Sequence, residues 1–316
     1  MSLPERFRGV MSLPVIAAPM FLVSGPALVT ACCRAGVAGT FPALNARTSE
    51  ELDTWLAALD GVASDPGCAP YGVNLILHPS NPRVAPDLEL LVSHRTPFVI
   101  TSLGNPAQVV ETVHGYGGLV FSDVVHAHHA RKAAAAGVDG IIAVASGAGG
   151  HAGSQSAFSL VREIRSFWDG TLILGGAMSD GAAVRAAEVL GADLAYLGTR
   201  FIATRESQAQ DAYKQMVVDC AASDIVYTDA ISGTNANFLW PSLEKAGYTR
   251  EQLTLSLGKG KLKSLADEAR AWRDIWSAGH GVATIDDAPP VAELVERLAA
   301  EYRTACALPV SPGCRP

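Results

Sequence analysis

Eight short apolar runs, each followed by a longer amphipathic segment, constrain this chain more than any other feature. The runs are Val15–Ala18, Val37–Phe41, Gly72–Leu77, Phe98–Ser102, Leu119–Ser122, Gly140–Ala145, Leu172–Gly175 and Leu194–Leu197. They consist mostly of Val, Ile, Leu, Phe and small residues, and they are apolar on both faces. That pattern suits parallel strands buried between two layers, not the alternating strands of a half-exposed antiparallel sheet. Helical patterns lie between them: Ala27–Ala35, Ser49–Ala58, Asp87–Val92, Pro106–His114, His126–Ala136, Phe158–Phe167 and Asp180–Leu190. Boundary signals agree, since Ser49-Glu50-Glu51 opens the second helix and Gly36, Gly137 and Gly191 closely follow theirs.

Eight strand–helix units predict an α/β fold, a closed (β/α)8 TIM barrel. An open, doubly wound sheet is the alternative, but no G-x-G-x-x-G follows the first strand, where a dinucleotide-binding half carries it. After Phe201 the pattern becomes helical, with Gln208–Cys220, Trp240–Lys245, Arg250–Ser256 and Lys261–Trp272. Residues 231–238 read as a polar Gly- and Asn-containing loop. The expected division is a barrel over 1–207 and a small, mainly helical cap over 208–274. A segment over 275–316 then packs back on the barrel, with a helix at Pro290–Tyr302 and a loose tail at Val310–Pro316.

A hydrophobic fraction of 49% excludes intrinsic disorder. The net charge of −7 excludes a basic field for nucleic acid or an anionic membrane. No apolar run is long enough to span a bilayer. The charged N-terminal stretch with Glu5, Arg6 and Arg8 does not read as a signal peptide, so a cytoplasmic location is expected. Six cysteines, at 32, 33, 68, 220, 306 and 314, form no C-x-x-C pair, and no metal site is expected from them. His126, His128 and His129 read as a solvated helix start.

In a barrel of this kind functional groups sit at the carboxyl ends of the strands. The seventh run enters Gly175-Gly176-Ala177-Met178-Ser179-Asp180-Gly181, and the eighth enters Gly198-Thr199-Arg200-Phe201. Glycines there let backbone N–H groups approach an anion, aided by the following helix N-terminus. Each loop alone also suits a tight turn; the two together, in the last two units, point to a phosphate site. Such a site suits a sugar phosphate, pyridoxal phosphate or FMN. Pyridoxal phosphate needs a strand-end lysine, and none of the six lysines stands at one. The sixth run leads to Gly149-Gly150-His151-Ala152-Gly153, where an imidazole is placed as a base for a carbon acid. Ala18-Pro19-Met20 follows the first run, and Asn74 lies in the third. A methionine offers a polarizable surface to a flat ring, and an amide can pair with a heterocycle.

These motifs, with Trp276-Ser277-Ala278-Gly279 near the end, resemble the nitronate monooxygenase family across nearly the whole chain. The resemblance implies an FMN-dependent TIM-barrel oxidoreductase acting on a small molecule and O2. It would oxidise alkyl nitronates or nitroalkanes to a carbonyl compound and nitrite. Gly175, Gly176, Ala177, Gly198 and Thr199 would take the phosphate. Ala18, Pro19, Met20, Asn74, Ser102, Asp123 and Gly150 would border the rest of the cofactor, and His151 would be the base. Met20 and Asn237 are candidates for contact with substrate. Asp123 departs from the family, because some members carry a lysine near the flavin at the matching position. An NAD(P)H-dependent reductase of quinones or enoyl thioesters on the same scaffold stays open. So do a flavin-free isomerase or lyase, a non-catalytic FMN-binding protein, and a homodimeric assembly.

Overall fold

Side chains that alternate between the barrel interior and the helix layer explain why the eight runs are apolar on both faces. The computed structural model describes residues 3–256 and 272–308. The strands are β1 (Val15–Ala17), β2 (Ala38–Pro42), β3 (Gly72–Ile76), β4 (Phe98–Ser102), β5 (Leu119–Val124) and β6 (Gly140–Val144). There follow a short β7 (Gly150–His151), then β8 (Thr171–Gly175) and β9 (Leu194–Leu197). β1 to β6, β8 and β9 form a closed parallel barrel in chain order. It is sealed by the pairing of β1 with β9, which sets Ile16 beside Tyr196 and Ala17 beside Leu197.

Inside, Ile16, Phe98, Ile100, Phe121, Ile142, Ile173 and Leu194 form one cluster, while Val15, Val99, Val120, Ile141 and Leu172 pack outward against helices. Phe7 plugs the amino-terminal end, its ring 5.4 Å from Phe98 and 6.0 Å from Phe121. Gly72 and Gly140 make room for this plug: a Cβ at Gly72 would lie 2.2 Å from the Phe98 ring, and one at Gly140 would lie 2.7 Å from Phe121.

The surrounding helices are α1 (Pro26–Arg34), α2 (Ser49–Ala63), α3 (Val84–Ser93), α4 (Ala107–His114), α5 (Ala127–Ala135), α6 (Ala157–Arg165) and α7 (Gly181–Leu190). Both α2 and α3 are longer than expected. α3 begins at Val84, because Pro86 sits in its first turn, where a missing N–H costs nothing.

After β9 come α8 (Thr199–Ile202), α9 (Asp211–Asp219), β10 (Ile225–Thr228), β11 (Ala236–Leu239), α10 (Trp240–Lys245), α11 (Arg250–Ser256) and α12 (Val291–Cys306). Three strands, β7, β10 and β11, were not expected. The supposed loop at 231–238 ends in a strand, and β10, β11 and β7 form a three-stranded antiparallel sheet above the barrel. The asparagines and glycine of 231–237 suggest a loop, yet Asn237 uses its backbone in the ladder and turns its amide to another loop. The expected helix at Lys261–Trp272 lies outside the described residues except for Trp272, and the tail at Val310–Pro316 lies outside them altogether. Among the described residues no helix is long and apolar enough to cross a membrane.

Candidate active site

The period of two that builds the barrel core also builds the floor of a cleft at its carboxyl end. Below the rim the inward residues are Ile100, Phe121 and Leu194; two residues further on they are Ser102, Asp123 and Tyr196, joined by Asn74 from β3. The interior thus changes from aromatic and aliphatic to polar within one layer. Asn74 Nδ2 donates to Ser102 Oγ at 2.7 Å and to the Ile100 carbonyl at 3.2 Å. Ser102 Oγ in turn donates to Asp123 Oδ2 at 2.6 Å. Asp123 Oδ1 and Tyr196 Oη are buried without a hydrogen-bond partner. Burial raises the Asp123 carboxyl to about 6; the Ser102 hydrogen bond and the charge of His151 pull it the other way. Burial likewise raises the Tyr196 phenol well above its ordinary range, and the neighbouring Asp123 adds to that.

The cleft above this floor has a volume of about 1670 Å³. Ala18, Pro19, Met20, Asn74, Ser102, Asp123, Gly150, His151, Gly175, Gly176, Ala177, Gly198 and Thr199 all line it. Met20 is held by a turn in which Asn45 Nδ2 donates to its carbonyl and its own N–H donates to Ser24 Oγ. Because β1 closes against β9, Met20 lies beside Gly198, and a Cβ on Gly198 would sit 3.7 Å from Met20 Sδ.

Asn237 does not line the cleft. Its side chain is 1% exposed, and Nδ2 donates to the Ala148 carbonyl at 2.6 Å. It therefore holds the glycine loop from behind, away from direct contact with a substrate.

The glycine loops divide into two kinds. A Cβ on Gly279 would fall 2.3 Å from the Gly147 carbonyl, and one on Gly149 would fall 2.9 Å from the Gly279 nitrogen. These glycines let two loops pack backbone to backbone. Gly198 differs: its φ is −99°, and a Cβ there would meet only ordinary contacts near 3.7 Å. The fold does not require glycine at 198, so the space it leaves belongs to the cleft. Gly176 and Ala177 both have positive φ, at 138° and 54°, an arrangement that bends the β8–α7 loop around the cleft wall.

One expected donor is removed. The N-terminus of α7 is closed by carboxylates, with Asp180 accepting from the Ala183 N–H and Glu301 of α12 accepting from Gly181 N–H, each at 2.8 Å. An anion placed there would face both. The donors expected to face a phosphate are accordingly narrowed to the Gly175–Ala177 loop, where the Ala177 N–H already donates to the Gly147 carbonyl at 3.3 Å, and to Gly198–Thr199, since the Phe201 and Ile202 N–H groups of α8 donate to the Gly198 carbonyl.

His151 reaches the cleft from β7, where it pairs with Ala236 of β11. Its loop is tied at several points. Gly150 N–H donates to Ser277 Oγ at 2.7 Å, and Ser277 Oγ donates to the Asn237 carbonyl at 2.6 Å. Tyr213 Oη donates to the Ser277 carbonyl, and Tyr227 Oη donates to the Ala152 carbonyl at 3.1 Å. The imidazole meets the Trp272 ring edge-on at 5.7 Å between centroids. Ser277, Tyr213, Tyr227, Tyr196 and Trp272 were not singled out from the sequence. The motif Trp276-Ser277-Ala278-Gly279 signalled importance there without revealing that its serine anchors the histidine loop. His126 caps α5, and its ring lies 3.7 Å from that of His129 at the outer edge of the cleft.

The sequence profile of the nitronate monooxygenase family matches residues 81–301. The chain belongs to the nitronate monooxygenase family. It is an oxidoreductase, one of a family of flavoproteins. A nitronate monooxygenase of Paraburkholderia phytofirmans (strain DSM 17436 / LMG 22146 / PsJN) is 28% identical, over 92% of each chain. A (3aS,4S,5R,7aS)-5-hydroxy-7a-methyl-1-oxo-octahydro-1H-indene-4-carboxyl-CoA dehydrogenase of Rhodococcus jostii (strain RHA1) is 26% identical, over 80% of this chain and 70% of that protein. Among solved structures, a nitroalkane oxidase from Streptomyces ansochromogenes superposes with a TM-score of 0.78 at 27% identity, covering 96% of this chain and 99% of that one. The three relatives show how one family scaffold carries different named activities.

Proposed function

We propose that this nitronate monooxygenase family member binds FMN and oxidises alkyl nitronates or nitroalkanes with O2 to a carbonyl compound and nitrite. The position of His151 carries the reading: it hangs over the same cleft that Met20, Asn74, Asp123, Gly176 and Gly198 line. The residues present suit the cofactor. Gly198 leaves space that the fold itself does not need, the two glycine loops offer backbone donors to a phosphate, and Met20 and Asn74 suit a flat heterocycle. When bound, FMN supplies an electron acceptor and a route for those electrons to O2.

The protein's own part is proton transfer and orientation. With a neutral nitroalkane, a ring nitrogen of His151 takes the α-proton, and the C–H electron pair remains on the nitronate. The loop anchored by Ser277 and Asn237 keeps the imidazole above the floor, which saves reorganisation during the transfer. Replacing His151 by Asn tests this. Turnover of a neutral nitroalkane should fall roughly 10²- to 10⁴-fold, the range of general-base catalysis, and turnover of the preformed nitronate should fall far less. Equal losses on both substrates contradict a base role.

The NAD(P)H-dependent reductase is a second reading, favoured by one observation. The cleft of about 1670 Å³ exceeds the roughly 300–1,000 Å³ of ordinary ligand pockets, leaving room beside FMN for a larger partner.

A further inference from the structure

We propose that the loop after β4 gives the cleft an apolar wall for the alkyl chain of the substrate, with Leu103 as the residue that selects nitronates of longer chain. The proposal deepens the nitronate reading above and rests on it. Backbone strain points to Leu103. Its φ is 59°, in the left-handed region that glycine enters freely and larger residues enter at a cost. Its side chain is also 43% exposed, so leucine gains little there from burial in the protein. Glycine follows at 104, where a Cβ would come within 2.4 Å of Leu77 Cβ, so the loop has glycine where packing requires it. Position 103 instead carries a leucine against both strain and exposure, and that leucine lines the cleft.

Strand alternation shows what the turn achieves. Ser102 faces the floor, so an extended residue 103 would turn to the helix layer; the left-handed turn brings Leu103 to the cleft. On the neighbouring strand Ile76 pairs with Ser102, one inward step beyond Asn74, and it lines the cleft too. Pro106 in the Leu103 loop, Leu44 after β2 and Phe21 after β1 continue the wall. Arg83 also lines this side, but its guanidinium is taken up by Asp87 and the Ala46 carbonyl. β1 to β4 are consecutive around the barrel, whereas His151 follows β6 on the other side. A nitronate with its head at His151 therefore runs its tail over the floor toward Leu103, and the cleft of about 1670 Å³ has room for that tail beside FMN.

Each methylene taken out of water against such a wall strengthens binding by up to about fourfold. Leu22 supplies the internal comparison. It has the same φ of 59° and is 41% exposed, yet it does not line the cleft, although Phe21 and Val23 on either side of it do. Strain and exposure are thus alike at the two leucines, and only Leu103 meets the ligand.

Calorimetric titration of the flavin-loaded protein with straight-chain carboxylates, from butyrate to octanoate, reads the wall without turnover. A carboxylate carries the paired oxygens of a nitronate on an unreactive head. Affinity should rise about two- to fourfold per methylene. Leu103→Asn accepts the left-handed conformation but removes the apolar contact, and the gain from butyrate to octanoate should shrink at least about fivefold. Its thermal midpoint should match or exceed that of the wild type, and its FMN affinity should be unchanged. Leu103→Met should keep the chain-length gain, and Leu22→Asn should leave the whole series unaltered. Values of kcat/KM for primary nitronates of matching length should follow the same order. Wild-type affinity that does not rise with chain length overturns the proposal, as does an undiminished rise in Leu103→Asn or an equal loss in Leu22→Asn. Weaker FMN binding by Leu103→Asn with the chain-length gain intact assigns Leu103 to the cofactor and overturns it as well. If the carboxylate series behaves as expected but no nitronate is turned over, the nitronate reading fails and the apolar wall stands.

Discussion

Two residues that line the cleft, Asp123 and Gly198, separate what the fold needs from what a ligand needs. The Asp123 carboxyl titrates at about 6 in the fold, above its ordinary 3.8, because burial disfavours its charge. The folded state therefore holds this proton more tightly than the unfolded chain. That contribution is fully present below about pH 4 and is lost as pH rises to about 6, reaching at most ~3 kcal/mol. Flavin-free Asp123→Asn should match the wild type in urea unfolding near about pH 4, and exceed it by about 1–3 kcal/mol near pH 7.5. A wild type more stable than the variant at the higher pH contradicts a buried, uncompensated carboxylate. Gly198→Ala makes the complementary case. Its Cβ meets protein atoms only at ordinary distances, so thermal stability of the flavin-free protein should hardly change. Fluorescence titration should nevertheless show FMN binding at least about tenfold weaker, the ~1.4 kcal/mol expected when one methyl group crowds a backbone cradle. Unaltered FMN affinity removes Gly198 from the site.

The short strand β7 and the loops that hold it matter more than any single contact they make. β7 is two residues long and owes its place to β11, Ser277, Asn237 and Tyr227. Truncating Asn237 to Ala leaves the Ala148 carbonyl without its donor and empties a buried position. Stability should fall by about 1–3 kcal/mol, the cost of a buried group left unpaired. kcat should fall with it, while the ranking of substrates stays the same, because Asn237 does not line the cleft. A changed substrate ranking sinks that placement. Gly279→Ala should be far more damaging than Gly198→Ala, since its Cβ would press into the Gly147 carbonyl. Calorimetry of the two variants side by side checks the distinction between packing glycines and cradle glycines.

For the molecule as a whole, the barrel was legible because its signal is repeated eight times and both faces of each strand are apolar. The same period, carried one step beyond Ile100, Phe121 and Leu194, locates Ser102, Asp123 and Tyr196 on the floor. That the glycine loops and His151 line one cleft was legible because loops after the strands of such a barrel gather at its carboxyl end. The cap sheet was not. Ile225–Thr228 has strand-forming residues, but Ala236–Leu239 follows a run of Asn, Gly and Thr, and its pairing with Gly150–His151 joins segments over 80 residues apart. Local patterning does not encode such a contact. The closed N-terminus of α7 was hidden for the same reason, since Glu301 approaches it from the far end of the chain.

We propose that this cleft takes FMN and a nitronate. Anaerobic stopped-flow spectroscopy of the flavin-loaded protein tests it most directly. The flavin absorbance should bleach rapidly on mixing with an alkyl nitronate and stay unchanged over the same interval with NADH or NADPH. Rapid bleaching by a nicotinamide, with none by nitronate, would contradict the account and make the protein a reductase.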